Sequence, residues 1–210
     1  MLQRFITMLD MQDSMNRKVH PQWPEQGFEW YRAAWIECAE LMEHYGYKWW
    51  KKQQPDQDQV ELEIIDIWHF GMSALFDGRS IPEIAQGMCD ELAAHTQTDM
   101  PFREAVEAVA AHSLQTRSFS VSAFWSLLHA AGMNPDSLFT RYVGKNVLNV
   151  FRQDHGYKEG TYIKQWQGRE DNEHLVEVLA ELDAGHPDYR QAVYDSLSAR
   201  YQGVLTEASR

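Results

Sequence analysis

Residues 62–72 read LEIIDIWHFGM. The polar positions are Glu63, Asp66 and His69, three apart, and the residues between them are mostly bulky and apolar. A half-buried strand would alternate with period two, whereas a spacing of three sets Glu63 and Asp66 on one face of a helix. Residues 33–42, AAWIECAELM, are built the same way, apolar except for Glu37 and Glu40. Two helices thus each carry a narrow acidic stripe. A solvated helix shows a broad polar face, not one thin stripe between large apolar side chains. Carboxylates in such surroundings are costly to bury unless something neutralises them. Neither stretch contains Lys or Arg, so no local ion pair is on offer. Hard oxygen ligands in this arrangement suit Mg2+, with Mn2+ as a substitute. Glu37, Glu40, Glu63 and Asp66 are therefore the candidate metal ligands. His69 reads as a core or supporting residue. Helical di-iron proteins need a Glu-x-x-His motif on each of two helices. The helix with Glu37 and Glu40 has no His three residues after either acid.

Helical periodicity dominates the rest of the chain. Helices are predicted over 2–17, 28–45 and 60–76, the third opened by a capping box of Asp58 and Glu61. Ser80 and Glu83 open a fourth in the same way. Further helices are expected over 101–116, 121–132 and 135–155, the last capped by Asn134 with Pro135 at its first position. One or two more should finish the chain, broken near Gly185-His186-Pro187. HPQWPEQG at 20–27 reads as a connection, and the GYKWWKKQQPDQDQ stretch as a loop or irregular helix end. No convincing strand and no dividing linker is evident. The expectation is one all-α multi-helix bundle, a single domain over residues 1–210.

Acids number 31 and bases 19, a formal charge of −12, which repels polyanions and argues against a nucleic-acid polymer as partner. A single nucleotide remains compatible if metal cations bridge the acids to its phosphates. Cys38 and Cys89 sit in apolar surroundings and read as small core residues, with no zinc or CxxC pattern. No apolar run is long enough to span a membrane, and the first residues do not resemble a signal peptide, so a cytoplasmic protein is expected. The 8 Trp exceed what a core needs, so some should lie at a surface or in a pocket.

Residues 141–169 reverse the overall charge, with Arg141, Lys145, Arg152, Lys158, Lys164 and Arg169 against only Asp154 and Glu159. Lys145, Asn149 and Arg152 fall on one helical stripe, followed by Tyr157, Tyr162 and Trp166 in a Gly-containing loop. Such a segment can be a solvated basic face. It can equally supply ammonium and guanidinium donors for phosphate oxygens, hydroxyls from Tyr and an amide for a base edge. Lys48, Lys51 and Lys52 around Trp49 and Trp50 form a second basic-aromatic patch. It suits either stacking on a base or anchoring a loop.

ECAE at 37–40, YKWWK at 47–51 and EIIDIWHF at 63–70 resemble the first half of the pattern of the dimeric dUTPases. GKNVLNVFRQDHGYK at 144–158, YIK at 162–164 and GREDN at 168–172 resemble its second half. Residues 80–135 carry no matching motif. The resemblance implies a bundle of the all-α NTP pyrophosphatase type, hydrolysing dUTP to dUMP and pyrophosphate with Mg2+, as a homodimer. It implies Glu37, Glu40, Glu63 and Asp66 as metal ligands and catalytic carboxylates, with Glu37 favoured as base for the attacking water. It places Lys145, Arg152, Tyr157 and Lys164 on phosphates and sugar. Asn149 would read the base, with Gln12 and Asn16 nearby. Phe70, Trp49, Trp50 and neighbouring Lys51 would pack around the nucleoside. Three other readings compete: a pyrophosphatase for dCTP or another deoxynucleotide, a helical carboxylate-bridged iron protein, and a binding module with a decayed site. The iron protein leaves the basic segment without a purpose, and the intact carboxylates and clamp residues argue against decay.

Overall fold

The computed structural model describes residues 1–186 and 188–208, with side chains of the last helix described through Leu205. Nine helices are present among them: α1 (Leu2–Val19), α2 (Trp30–Tyr45), α3 (Gln57–Ala74), α4 (Ile81–Ala94), α5 (Phe102–Thr116), α6 (Val121–Ala130), α7 (Pro135–Asp154), α8 (Asp171–Glu181) and α9 (Tyr189–Ala208). The fold is all-α. A 3-10 turn at Trp23–Gln26 occupies the connection between α1 and α2. No helix among the described residues is long and apolar enough to cross a membrane.

Helix α3 is the axial element. Ile64, Ile65, Ile67 and Trp68 are completely buried, and Trp68 stacks on Phe124 of α6 with ring centroids 4.6 Å apart. Its most extensive contact is with α2, and it also touches α1, α6 and α7. The narrow acidic stripe follows from this position. With neighbours on several sides, only one strip of α3 remains for polar groups.

Two caps form where the spacing predicts them. Ser80 N–H donates to Glu83 Oε2 at 2.8 Å, and Asn134 Oδ1 accepts from the amides of Asp136 and Ser137 at 3.0 and 2.9 Å. The predicted Asp58/Glu61 box does not form. Helix α3 starts earlier, just beyond Pro55, and Asp56 caps it by accepting from Gln59 N–H at 3.3 Å. Glu61 instead pairs with Arg141 of α7. Pro187, part of the predicted break, lies outside the described residues; α8 ends at Glu181 and α9 begins at Tyr189.

A strand pair is present that the sequence did not lead us to expect. β1 (Gln165–Trp166) and β2 (Arg169–Glu170) form an antiparallel hairpin joined by Gln167 and Gly168. Both turn residues have positive φ, 52° and 81°, as a tight two-residue hairpin turn requires. The hairpin delivers the chain to the start of α8. There, α8 approaches α7 closely: a Cβ on Gly144 would lie 2.5 Å from Leu179 Cδ2. A side chain here would have to displace Leu179, so glycine lets Leu179 pack directly on α7 where α8 brings Asp171 and Asn172 to the basic stripe.

Candidate active site

Helices α2 and α3 turn their acidic stripes toward each other. One carboxylate oxygen from each of Glu37, Glu63 and Asp66 lies within 4.8 Å of the others. Glu63 is buried, while Glu37 and Asp66 are half-buried. Glu40 lies one turn along α2, exposed at the rim of the same cavity and outside this close trio. Packing these acids together has a clear electrostatic signature. Burial, then the charge of Asp66 and a hydrogen bond with Glu63, push the Glu37 carboxyl from an ordinary 4.5 up to about 9. Burial and Asp66 raise Glu63 as well.

The chain does supply one cation here, contrary to the local reading of α2 and α3. Lys145 of α7, almost fully buried, places Nζ 2.7 Å from Asp66 Oδ2 and donates to Asn172 Oδ1 at 3.0 Å. The sequence reading missed this pairing because the partner is distant in the chain. His44 Nε2 lies 3.7 Å from Glu63 Oε1 in the cavity wall, and nothing in the sequence singles it out.

Two cavities meet at this point. The first, about 580 Å³, is polar: carboxylates of α2 and α3 line it together with Lys145, Arg152, Tyr157, Lys164 and Asn172, and Glu170 and Glu173 add two further acids. The second, about 400 Å³, is lined by Trp23, Trp30, Phe70, Gln12, Asn16 and Asn149, among others. Glu37, Asp66, Arg152 and Tyr157 belong to both walls. Each volume falls in the range of small-molecule sites, ~300–1,000 Å³. Phe70 stacks on Trp30 with centroids 6.2 Å apart and rings 26° from parallel.

Behind the second cavity lies a buried polar network. Gln12 Nε2 donates to Asn16 Oδ1 at 3.0 Å, and Asn16 Nδ2 donates to Ser73 Oγ at 2.9 Å. His69 Nδ1 stands 2.7 Å from Gln12 Oε1, an acceptor, which places the ring proton on Nδ1. Burial lowers His69 to about 4 and keeps it neutral. His69 is thus a supporting residue. Its nitrogens are not among the converging ligand atoms, all of which are carboxylate oxygens.

The predicted stripe of Lys145, Asn149 and Arg152 faces the cavities as a set. Arg152 is not a free phosphate donor, however. Its Nε and Nη2 donate to the two oxygens of Asp171 at 2.8 and 2.7 Å, Nη2 also to Asn172 Oδ1 at 3.2 Å, and Nη1 to Asn149 Oδ1 at 3.2 Å. Tyr162 completes the shell by donating to Asp171 Oδ2 at 2.7 Å. Asp171 and Asn172 escaped the sequence reading as site residues. An acid between Glu170 and Glu173 reads as part of a solvated helix start and gives no hint that it is wholly buried. Lys164 is exposed and pairs with Glu170 at 3.1 Å. Trp49, Trp50 and Lys51 are not brought to either cavity within this chain. They are exposed to solvent, Trp49 at 91% and Trp50 at 60%.

A family model described as dUTPase matches residues 4–157, nearly three quarters of the chain. None of the curated proteins compared matches it. The matched stretch contains α1 to α7, with all four acidic-stripe residues and the basic stripe, and stops before the hairpin and α8.

Proposed function

Because this chain belongs to the dUTPase family, we propose that it is a cytoplasmic, Mg2+-dependent dUTP diphosphatase, a single domain that releases dUMP and pyrophosphate. The observation that carries the reading is the convergence of Glu37, Glu63 and Asp66 where a polar cavity, acidic but bearing Lys145, Arg152 and Lys164, meets an aromatic, amide-lined one. A nucleotide has the same division: a polyanionic tail and a flat, partly apolar nucleoside.

The donor set fits a divalent cation. It is all hard oxygen and partly buried, and burial with the neighbouring charge of Asp66 drives Glu37 to hold a proton that a cation could replace. Glu37, Glu63 and Asp66 would hold the ion, with Glu40 at the rim for a second contact. When bound, such an ion neutralises phosphate charge and makes a nearby water more acidic. The chain's own residues do the rest. Lys145 and Lys164 offset charge on the triphosphate, and Arg152 and Tyr157 stand where the two cavities join, beside the phosphate–sugar linkage. Glu37, whose proton a bound cation would displace, would be the base for the attacking water. Gln12, Asn16 and Asn149 provide polar contacts for the base.

Phe70, backed by Trp30, is the sugar gate. A packed ring beside C2′ leaves a ribose hydroxyl neither room nor a hydrogen-bond partner, a cost of ~1–3 kcal/mol. Phe70→Ala should therefore lower the dUTP/UTP ratio of kcat/KM by roughly tenfold. Release of pyrophosphate across a panel of dNTPs and NTPs, with Mg2+ and with EDTA, tests the whole reading. Activity confined to dUTP and abolished by EDTA supports it. A preference for dCTP would overturn the substrate, and EDTA-resistant activity would overturn the metal.

A homodimer is part of the proposal. The exposed Trp49–Trp50 pair, with Tyr47 at 43% exposure, is a larger aromatic surface than a lone subunit ordinarily leaves in water. Across a symmetric interface these rings and Lys51 could cover a partner's nucleoside. Sedimentation should give twice the 24.5 kDa chain mass. A monomer at micromolar concentration would rule this out.

A further inference from the structure

Asp171 lies outside the stretch that the family model matches. It is completely buried at the first position of α8, and its partners come from the site side: two guanidinium nitrogens of Arg152 and the hydroxyl of Tyr162. Burial drives its carboxyl up, but Arg152 and Tyr162 outweigh that and hold it below the ordinary carboxylate range, so it stays charged. A two-point carboxylate contact fixes the plane of a guanidinium. With its Nε and Nη2 edge committed to Asp171, Arg152 has Nη1 left, and Nη1 donates to Asn149 Oδ1.

This geometry determines what Asn149 can offer to a ligand. A free carboxamide can flip and present either a carbonyl or an NH2 group. Arginine has no acceptor, so an amide held against a fixed guanidinium must turn its oxygen inward. Asn149 lines the aromatic cavity; with its oxygen turned toward Arg152, its Nδ2 is the group left to face it, carrying both amide protons. The same logic holds at Asn172, whose oxygen accepts from both Lys145 and Arg152. We propose that Asp171 is a positioning residue for base recognition: through Arg152 it locks the Asn149 amide as a donor, so that the site selects a base presenting a carbonyl oxygen at that point. The proposal rests on the nucleotide reading above, and it makes base selection depend on a residue that touches no substrate.

The test compares dUTP with 2-thio-dUTP and 4-thio-dUTP, in which a poorly accepting sulfur replaces one carbonyl oxygen. Wild type should disfavour one of the two analogues by roughly tenfold in kcat/KM, and Asn149→Ala should abolish that preference. Asp171→Asn keeps the shape but has one carbonyl oxygen where two carboxylate oxygens held Arg152. It should bring the same ratio to within about twofold of one. Tyr162→Phe removes one of Asp171's partners and should reduce the ratio about threefold, which keeps the test alive should Asp171→Asn fail to fold. If Asp171→Asn, or failing that Tyr162→Phe, slows all three nucleotides equally and leaves the ratio intact, Asp171 is merely structural and the proposal is overturned. If wild type turns over dUTP without distinguishing the thio analogues, the functional reading stands and the amide lock falls. If wild type does not hydrolyse dUTP, the functional reading falls and takes this proposal with it.

Discussion

Asp66→Asn is expected to lower kcat by on the order of 10²-fold or more, with a much smaller change in fold content. The substitution keeps the shape of the side chain and removes one negative charge from the carboxylate trio. Glu40→Gln should cost less, about tenfold, since Glu40 stands exposed at the rim rather than within the trio. Asp66→Asn also strips Lys145 of its ion-pair partner at 2.7 Å, leaving a buried ammonium held by Asn172. A stability loss on the order of 1–3 kcal/mol should accompany the kinetic one. Activity near wild type in Asp66→Asn would dismiss the carboxylate site. A second signature requires no substitution. Without divalent cation, folded Glu37 keeps its proton up to about 9, whereas the unfolded chain releases it near 4.5. The folded state therefore binds more protons across that window, and its stability must fall as pH rises through it. Glu63, also raised, adds in the same direction. On the proposed metal assignment Mg2+ would replace those protons, so its stabilising effect should grow with pH. Melting temperatures at about pH 6 and about pH 8, with and without Mg2+, measure this. A Mg2+ shift that does not increase with pH would contradict the metal assignment.

Arg152→Ala should be the most damaging single change to stability. It leaves Asp171, with no solvent exposure, holding a charge whose remaining direct partner is the Tyr162 hydroxyl. Breaking a buried pair from one side costs about 3–5 kcal/mol. The pH dependence separates this cause from lost packing. In the wild type Asp171 lies below its unfolded value, so its contribution is present above the unfolded pKa and is lost as pH falls through the folded one. In the variant, burial without Arg152 pushes the carboxyl up instead. Protonation then relieves the penalty, and the deficit relative to wild type should shrink as pH is lowered through the carboxylate range. Denaturant titrations of both proteins across that range provide the check. A deficit independent of pH would mean that packing, not charge, accounts for the loss.

What the sequence made legible was local. The stripes on α2 and α3 and the capping residues Ser80 and Asn134 lie within a few turns of what they affect, so spacing alone reveals them. Asp58 misled because two acid-bearing starts compete near Pro55, and packing against α7, where Glu61 meets Arg141, favours the earlier one. The clamp was half visible. Lys145, Asn149 and Arg152 share a helix face, but their partners Asp171 and Asn172 arrive by way of a hairpin whose Gln-Gly turn is a weak signal. The aromatic pair at 49–50 was conspicuous in sequence but not placed by it, since composition cannot say toward which surface a loop extends.

The stacking of Trp30 on Phe70 has an optical consequence. An indole in the wall of the aromatic cavity responds to whatever displaces water there, while Trp68 and Trp166, fully enclosed, emit from a fixed apolar environment. Trp49, open to solvent, contributes a red-edge background that iodide or acrylamide can quench. Trp23 and Trp30 are therefore intrinsic fluorophores in the wall of the candidate cavity, and quenching removes the contribution of the open Trp49 and Trp50. Occupancy can be followed in real time on unlabelled protein, before any bond in the ligand is broken.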